Sequence, residues 1–219
     1  MDTPASSPAI EQLRAAVING DAKSAAALTS EALRDGVPPQ YLVDTALIPA
    51  MDEAGRLFEA GEFFVPELLV ASRALKASQS LITPLLAATG ATSRGKIVIG
   101  TVKGDLHDIG KNLVVALLQG GGFDVIDLGA DVAPDAFVAA VRDHAPDVVG
   151  LSALLTTTML QMQQTIGALT AAGVRERVKV IVGGAPVTQR FADQVGADGY
   201  ADNAAAAVTL ARSLVSAAR

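Results

Sequence analysis

From Lys96 onward the chain repeats one pattern, a short continuous apolar run followed by an amphipathic helical stretch. Runs such as Lys96-Ile97-Val98-Ile99 and Asp147-Val148-Val149-Gly150-Leu151 lack the apolar/polar alternation of a strand with one wet face. Strands of this kind are buried on both faces, as in a parallel sheet covered by helices on each side. The pattern predicts strands at 96–102, 123–128, 147–152, 178–183 and 198–201, with helices at 109–120, 134–144, 158–172, 187–195 and 203–217. The fold class is therefore α/β, with a doubly wound, flavodoxin/Rossmann-like five-stranded parallel sheet.

The first 88 residues follow another period. Apolar positions recur every three or four residues and β-branched runs are scarce, which predicts four helices. The first covers Pro8 to Ile18 and breaks at Asn19-Gly20; the second starts under Asp21 as N-cap and runs to Arg34. The third spans Gln40 to Glu59 on an inward stripe of Leu42, Leu47, Met51, Ala54 and Phe58. The fourth places Pro66 in its first turn and continues to about Ala88. Short connections imply an antiparallel four-helix bundle. The expected organisation is a helical domain at 1–88, a small, polar linker at 89–95 and an α/β domain at 96–219.

Composition excludes several functions. A net charge of −6 and 4% aromatic residues argue against nucleic acid, which is held by clustered Lys and Arg and by stacking platforms. There is no cysteine, hence no disulfide or thiolate metal site. Met1 to Ser7 lack the basic start and apolar core of a signal peptide, and the apolar runs are too short to cross a bilayer, so a cytoplasmic protein without a membrane span is expected.

Ligands of open parallel sheets bind at the carboxyl ends of the strands, near the reversal of strand order. Three loops meet that condition: Thr101 to Asp108, Ser152 to Thr158, and Gly183-Gly184-Ala185-Pro186. His107 lies between a strand end and a helix start, two residues after Asp105. A carboxylate that takes the proton of one imidazole nitrogen leaves the other free to ligate a metal. The plain alternative is that Asp105 and Asp108 cap the next helix and His107 is an exposed loop residue. For Asp108 the cap is the better reading; for His107 the ligand is. His144, the second histidine, belongs to a helix end. The hydroxyls of Ser152, Thr156, Thr157 and Thr158 cluster at a strand end, where capping accounts for at least one. Gly183-Gly184 removes side chains where a ligand can lie against the backbone, although a tight turn also uses glycine. No GxGxxG follows the first strand, and Gly104 to Gly110-Lys111 has the wrong spacing for a P-loop. A phosphoryl receiver would need an aspartate where Ser152 stands.

Asp-x-His-x-x-Gly at 105–110, Ser-x-Leu at 152–154 and Gly-Gly at 183–184 resemble the cobalamin-binding module of B12-dependent methyltransferases and mutases. The run Gly100-Thr101-Val102-Lys103-Gly104-Asp105-Leu106-His107-Asp108-Ile109-Gly110-Lys111-Asn112 strengthens the likeness. Met51 to Phe58 and Gly61 to Leu68 are similar to the cap bundle of methionine synthase and of corrinoid proteins in methanol, methylamine and methoxyaromatic methyltransfer systems. The resemblance spans nearly the whole chain. It implies cobalamin, or another cobamide, bound base-off with His107 as the cobalt axial ligand and Asp105 and Thr158 as its relay. Thr101, Val102, Gly104, Asp108, Ile109 and Gly110 then border the cofactor, while Ser152, Leu154, Thr156, Gly183, Gly184, Ala185, Tyr200 and Ala201 line the nucleotide-tail channel. Phe64, Val65, Leu68 and Leu69 are candidates for sheltering the upper face, and such stripes also serve simply as bundle core.

The implied function is a methyl carrier cycling between Co(I) and methyl-Co(III), and so not an enzyme alone. Its implied partners are a donor-specific methyltransferase, an acceptor methyltransferase using a tetrahydrofolate or a thiol, and a reductive activase for Co(II). Losing the methyl should release His107, with the relay taking up a proton and residues 88 to 95 acting as the hinge of the bundle. Two related readings stay open: the cobalamin subunit of an adenosylcobalamin mutase, and a B12-sensing regulatory module whose DNA-binding part lies elsewhere.

Overall fold

A computed structural model describes residues 8–89 and 93–217; Met1 to Ser7 and three of the expected linker residues, 90–92, lie outside the described residues. The chain divides into two compact units, one within Met1–Thr92 together with Gly120–Gly122, the other Ser93–Gln119 with Phe123–Arg219.

The first unit is helical: α1 Pro8–Ile18, α2 Ala22–Arg34, α3 Pro39–Leu42, α4 Ile48–Glu59 and α5 Val65–Thr89. Asp21 caps α2 by accepting the Ser24 N–H at 3.0 Å. Packing of α1 on α2 and α4, and of α5 on α2 and α4, buries Leu13, Val17, Leu42, Leu47, Met51, Leu75 and Ile82. Phe58, expected on the inward stripe, is only half-buried. A fully buried polar pair, Thr29 Oγ1 donating to Ser78 Oγ at 2.9 Å, ties α2 to α5.

The third predicted helix is interrupted by a π-helical stretch, Val43–Leu47. Pro49 has no N–H for the carbonyl of Thr45, four residues back, and its ring crowds that carbonyl. The widened turn makes room, and Arg14 Nε donates to the stranded Thr45 oxygen at 2.7 Å. The proline was visible in the sequence; its partner on another helix was not.

The second unit alternates β1 Lys96–Thr101, α6 Ile109–Gly120, β2 Asp124–Asp127, α7 Pro134–His144, β3 Val148–Ser152, α8 Leu160–Ala171, β4 Lys179–Gly183, α9 Gln189–Val195, β5 Gly199–Ala201 and α10 Ala204–Ala217. All pairings are parallel, in the order β2-β1-β3-β4-β5. Val98, Val149, Leu151, Val180 and Val182 pack with Phe137, Met162 and Leu169 in the core. A Cβ on Gly100 would meet Phe137 Cζ at 2.9 Å, so that glycine lets the buried ring lie on β1. Strand order reverses between β1 and β3, which puts the loops after those strands at the topological switch point. No helix among the described residues is long and apolar enough to cross a membrane.

Candidate functional site

Register aligns the carboxyl ends of four strands. Thr101 pairs with Ser152, Ser152 with Gly183, and Gly183 with Ala201, so four expected site residues form one row across the sheet. The next residues continue it: Val102 N–H donates to Ser152 O at 3.0 Å and Ala153 N–H to Gly183 O at 3.2 Å.

Asp105 organises the edge. Its side chain is 0% exposed. Oδ1 accepts the His107 N–H at 3.0 Å and lies 2.7 Å from His107 Nδ1. Oδ2 accepts the Leu154 N–H at 2.7 Å, the Leu155 N–H at 3.3 Å and the Thr158 hydroxyl at 2.7 Å. Burial disfavours its charged form, but the Thr158 hydroxyl, the Leu154 and His107 N–H groups and the His107 ring outweigh that and hold the carboxyl well below the ordinary range. Asp105 is thus an acceptor at neutral pH. It fixes the imidazole with Nδ1 as donor, which leaves Nε2 of the neutral ring unprotonated.

Asp105 and His107 form a side-chain-to-backbone turn from residue i to i+2. Gly104, at φ +80°, supplies the left-handed step that precedes it. Buried Thr101 donates its hydroxyl to His107 O at 3.0 Å, fixing the other end of the loop. Thr101 and Val102 are both fully buried at this edge.

Asp108 precedes α6; its carbonyl accepts the Asn112 N–H at 2.7 Å and its carboxylate the Asn112 side-chain amide at 3.0 Å. Ile109 is 75% exposed and Gly110 exposed. Leu154, Thr156 and Ala185 are exposed, Ser152 and Tyr200 half-buried, and Ala201 buried. The Gly-Gly pair has a packing reason of its own. At Gly184, with φ +125°, a Cβ would stand 1.9 Å from Ala153 O, so the close approach of two loops requires glycine. At Gly183 a Cβ would stand 3.0 Å from Ala201 O. Leu68 is 0% exposed and belongs to the core of the helical unit, because its helical period groups it with buried Ala71 and Leu75. Phe64 and Leu69 are exposed and Val65 half-buried. His144 ends α7, where its carbonyl accepts Lys96 Nζ at 3.1 Å.

Two features were missed. Lys111 is buried, and Nζ lies 2.6 Å from both carboxylate oxygens of Asp127, which joins α6 to the end of β2. Its only signal was a lysine in an otherwise apolar helix face. Asp131, in the connection after β2, accepts the Gly104 N–H at 2.7 Å.

Fold and site define a doubly wound cofactor-binding protein that offers an imidazole nitrogen at the carboxyl edge of its sheet. The family described as B12 binding domain matches residues 95–209, and a second family of the same description matches 9–82. A corrinoid protein of Desulfitobacterium hafniense is 38% identical over 94% of this chain and 97% of its own length. The trimethylamine corrinoid protein 2 of Methanosarcina mazei is 42% identical over 91% of this chain and 92% of its own. Among solved structures, the methanol:cobalamin methyltransferase complex of Methanosarcina barkeri superposes with TM-score 0.87 at 30% identity, covering 97% of this chain and 81% of that one. A cobalamin-binding protein of Desulfitobacterium hafniense gives TM-score 0.77 at 34% identity, covering 94% of this chain and 98% of that one. The chain belongs to the B12-binding family, as one of the corrinoid proteins of methyltransferase systems, and its cofactor is cobalamin.

The residues present fit that cofactor. Beside His107, whose side chain is 52% exposed, the loops carry exposed Leu106, Ile109, Leu154, Leu155 and Leu160. Apolar side chains concentrated around a metal-ligand candidate suit a broad, largely apolar macrocycle better than water.

Proposed function

We propose that the chain is a methyl carrier that holds cobalamin base-off, with His107 Nε2 as the lower axial ligand. The observation that carries this reading is the 2.7 Å contact of Asp105 Oδ1 with His107 Nδ1 on a half-exposed ring, which turns the other ring nitrogen outward as a lone-pair donor. Bound cobalamin supplies a cobalt centre that accepts a methyl group and yields it to an acceptor. The protein supplies the rest. Asp105 and Thr158 keep His107 in one tautomer and orientation. Ser152, Leu154, Thr156, Gly183, Gly184, Ala185, Tyr200 and Ala201 flank the nucleotide tail, mostly through backbone. The exposed leucines of the two loops keep water from the lower face.

In this reading residues 1–88 cap the upper face, with Phe64 and Val65 toward the cofactor, and 89–95 link the cap to the cofactor domain. The partners are a donor-specific methyltransferase, a second methyltransferase that passes the methyl to a tetrahydrofolate or a thiol, and a reductive activase. The relatives from trimethylamine and methanol systems support partners of the methyltransferase kind.

The test is reconstitution of the full chain, grown with 15N-histidine, with cob(II)alamin, followed by EPR. The expected spectrum has axial nitrogen splitting that changes when the label is replaced by 14N and disappears in His107→Ala. A splitting insensitive to the label, from the benzimidazole nitrogen, overturns the reading.

A further inference from the structure

Asp131 is one of two non-glycine residues at positive φ among the described residues, with φ 55°. The other, Ala145, caps the end of α7, an ordinary place for a left-handed residue. Asp131 ends no helix. A non-glycine residue in this region carries strain that persists only where its surroundings fix it, and Asp and Asn tolerate it best.

What fixes Asp131 is the loop that carries His107. Asp131 Oδ1 accepts the Gly104 N–H at 2.7 Å, while its own N–H donates to Asp105 O at 3.0 Å. One residue therefore brackets the peptide unit between Gly104 and Asp105, directly before the carboxylate that holds the imidazole. The bracket is anchored to the sheet. Thr101 N–H donates to Gly129 O and Val132 N–H to Thr101 O, each at 2.9 Å, and Val102 and Val132 form a parallel bridge. A short bond to a carboxylate is among the stronger hydrogen bonds available to a backbone N–H.

We propose that Asp131 is a positioning residue for the cobalt-ligand site, one that sets the place of Asp105 and through it the tautomer and aim of His107. The proposal rests on the reading of His107 as the lower ligand for its functional meaning, but its geometry is independent of any cofactor. The bonds Asp131 makes here are to the backbone of Gly104 and Asp105, not to the imidazole. Asp131 acts on the backbone from which Asp105 projects.

The two roles of the residue separate by substitution. Asp131→Gly adopts φ 55° without strain and keeps the N–H to Asp105 O, so only the carboxylate is lost. Asp131→Asn keeps an oxygen acceptor for Gly104 and tolerates the same backbone. The full chain without corrinoid, labelled with 15N-histidine, reports the His107 tautomer in long-range 1H–15N NMR spectra. Wild type and Asp131→Asn should show Nδ1 protonated and Nε2 bare, whereas Asp131→Gly should show a mixture of tautomers. Affinity for cob(II)alamin should fall about 10-fold in Asp131→Gly and stay near wild type in Asp131→Asn, the size seen when a supporting partner of a metal ligand is lost.

A wild-type tautomer in folded Asp131→Gly overturns the proposal. Should that variant not fold, the proposal stands or falls on Asp131→Asn and on wild-type amide exchange: a mixed tautomer in Asp131→Asn, or an unprotected Gly104 N–H, overturns it. If the tautomer responds as expected but EPR shows no histidine nitrogen on cobalt, the ligand reading fails while the positioning role stands.

Discussion

The two edges of the sheet use the same chemistry to different ends. At the amino edge Asp198 accepts the Val180 N–H at 2.8 Å and pairs with Arg175 at 2.7 Å and Lys179 at 3.2 Å. At the carboxyl edge Asp105 accepts from His107, Leu154, Leu155 and Thr158. Both carboxyls are disfavoured by burial, yet both are held below the ordinary range by the donors around them. Asp198 is matched by two cations and by backbone from the adjoining strand, so it stitches the fold. The ring that Asp105 holds keeps one nitrogen free and stands among exposed leucines. A buried aspartate satisfied entirely by its neighbours is architecture; one that aims an unfilled donor outward is a site.

Replacing each aspartate breaks this comparison most directly. Asp105→Ala leaves the Leu154 N–H and Thr158 hydroxyl without their acceptor and should destabilise the corrinoid-free protein by about 3 kcal/mol in urea unfolding. It should also abolish the histidine nitrogen signal of the cob(II)alamin complex. Asp198→Ala should destabilise by about 2 kcal/mol while leaving that spectrum unchanged. An altered spectrum in Asp198→Ala would show that the two edges are not separable in this way.

Acid sharpens the same contrast. Because both folded carboxyls titrate below their unfolded value of about 3.9, each contributes stability that is complete above that pH and is lost as pH falls toward the folded value. Urea midpoints should therefore be level near neutrality and decline below about pH 4, less steeply in either aspartate variant than in wild type.

Thr158→Val should cost about 1 kcal/mol, and Thr158→Ser should restore it, since Asp105 needs the hydroxyl and not the methyl. The smallest effect on stability belongs to the residue with the largest effect on chemistry. His107→Ala should shift unfolding by less than about 0.5 kcal/mol, because its ring is half exposed, while removing the labelled axial nitrogen altogether. A large stability loss there would place His107 with the architectural residues.

Much of this was legible in the chain. Continuous apolar runs from Lys96 require a sheet covered on both faces, and Asp-x-His between a strand end and a helix start placed the ligand candidate on the loop after β1, at the switch point of the sheet. The strand ends placed Ser152, Gly183 and Ala201 at the carboxyl edge, while their alignment with Thr101 in one row came from the register of the sheet. Long-range partners were hidden. Nothing local marks Asp131 as the acceptor for Gly104, 27 residues away, or Arg14 as the donor to Thr45, 31 residues away. Leu68 and Leu69 are adjacent and both apolar, yet one is fully buried and the other exposed.

By itself the sequence determined the periods of its elements, the order in which strands and helices alternate, and the residue types delivered to the loops after β1, β3 and β4, because these depend on spacing along one chain. The tertiary structure decided which of those residues act together. Asp105 stays an ionised acceptor despite its burial only because Leu154 and Thr158, after β3, come within hydrogen-bond distance, and Gly184 is obligatory only because Ala153 O occupies the space its Cβ would take. Hydrogen bonds and close contacts are set by distances in space, which a linear pattern does not encode.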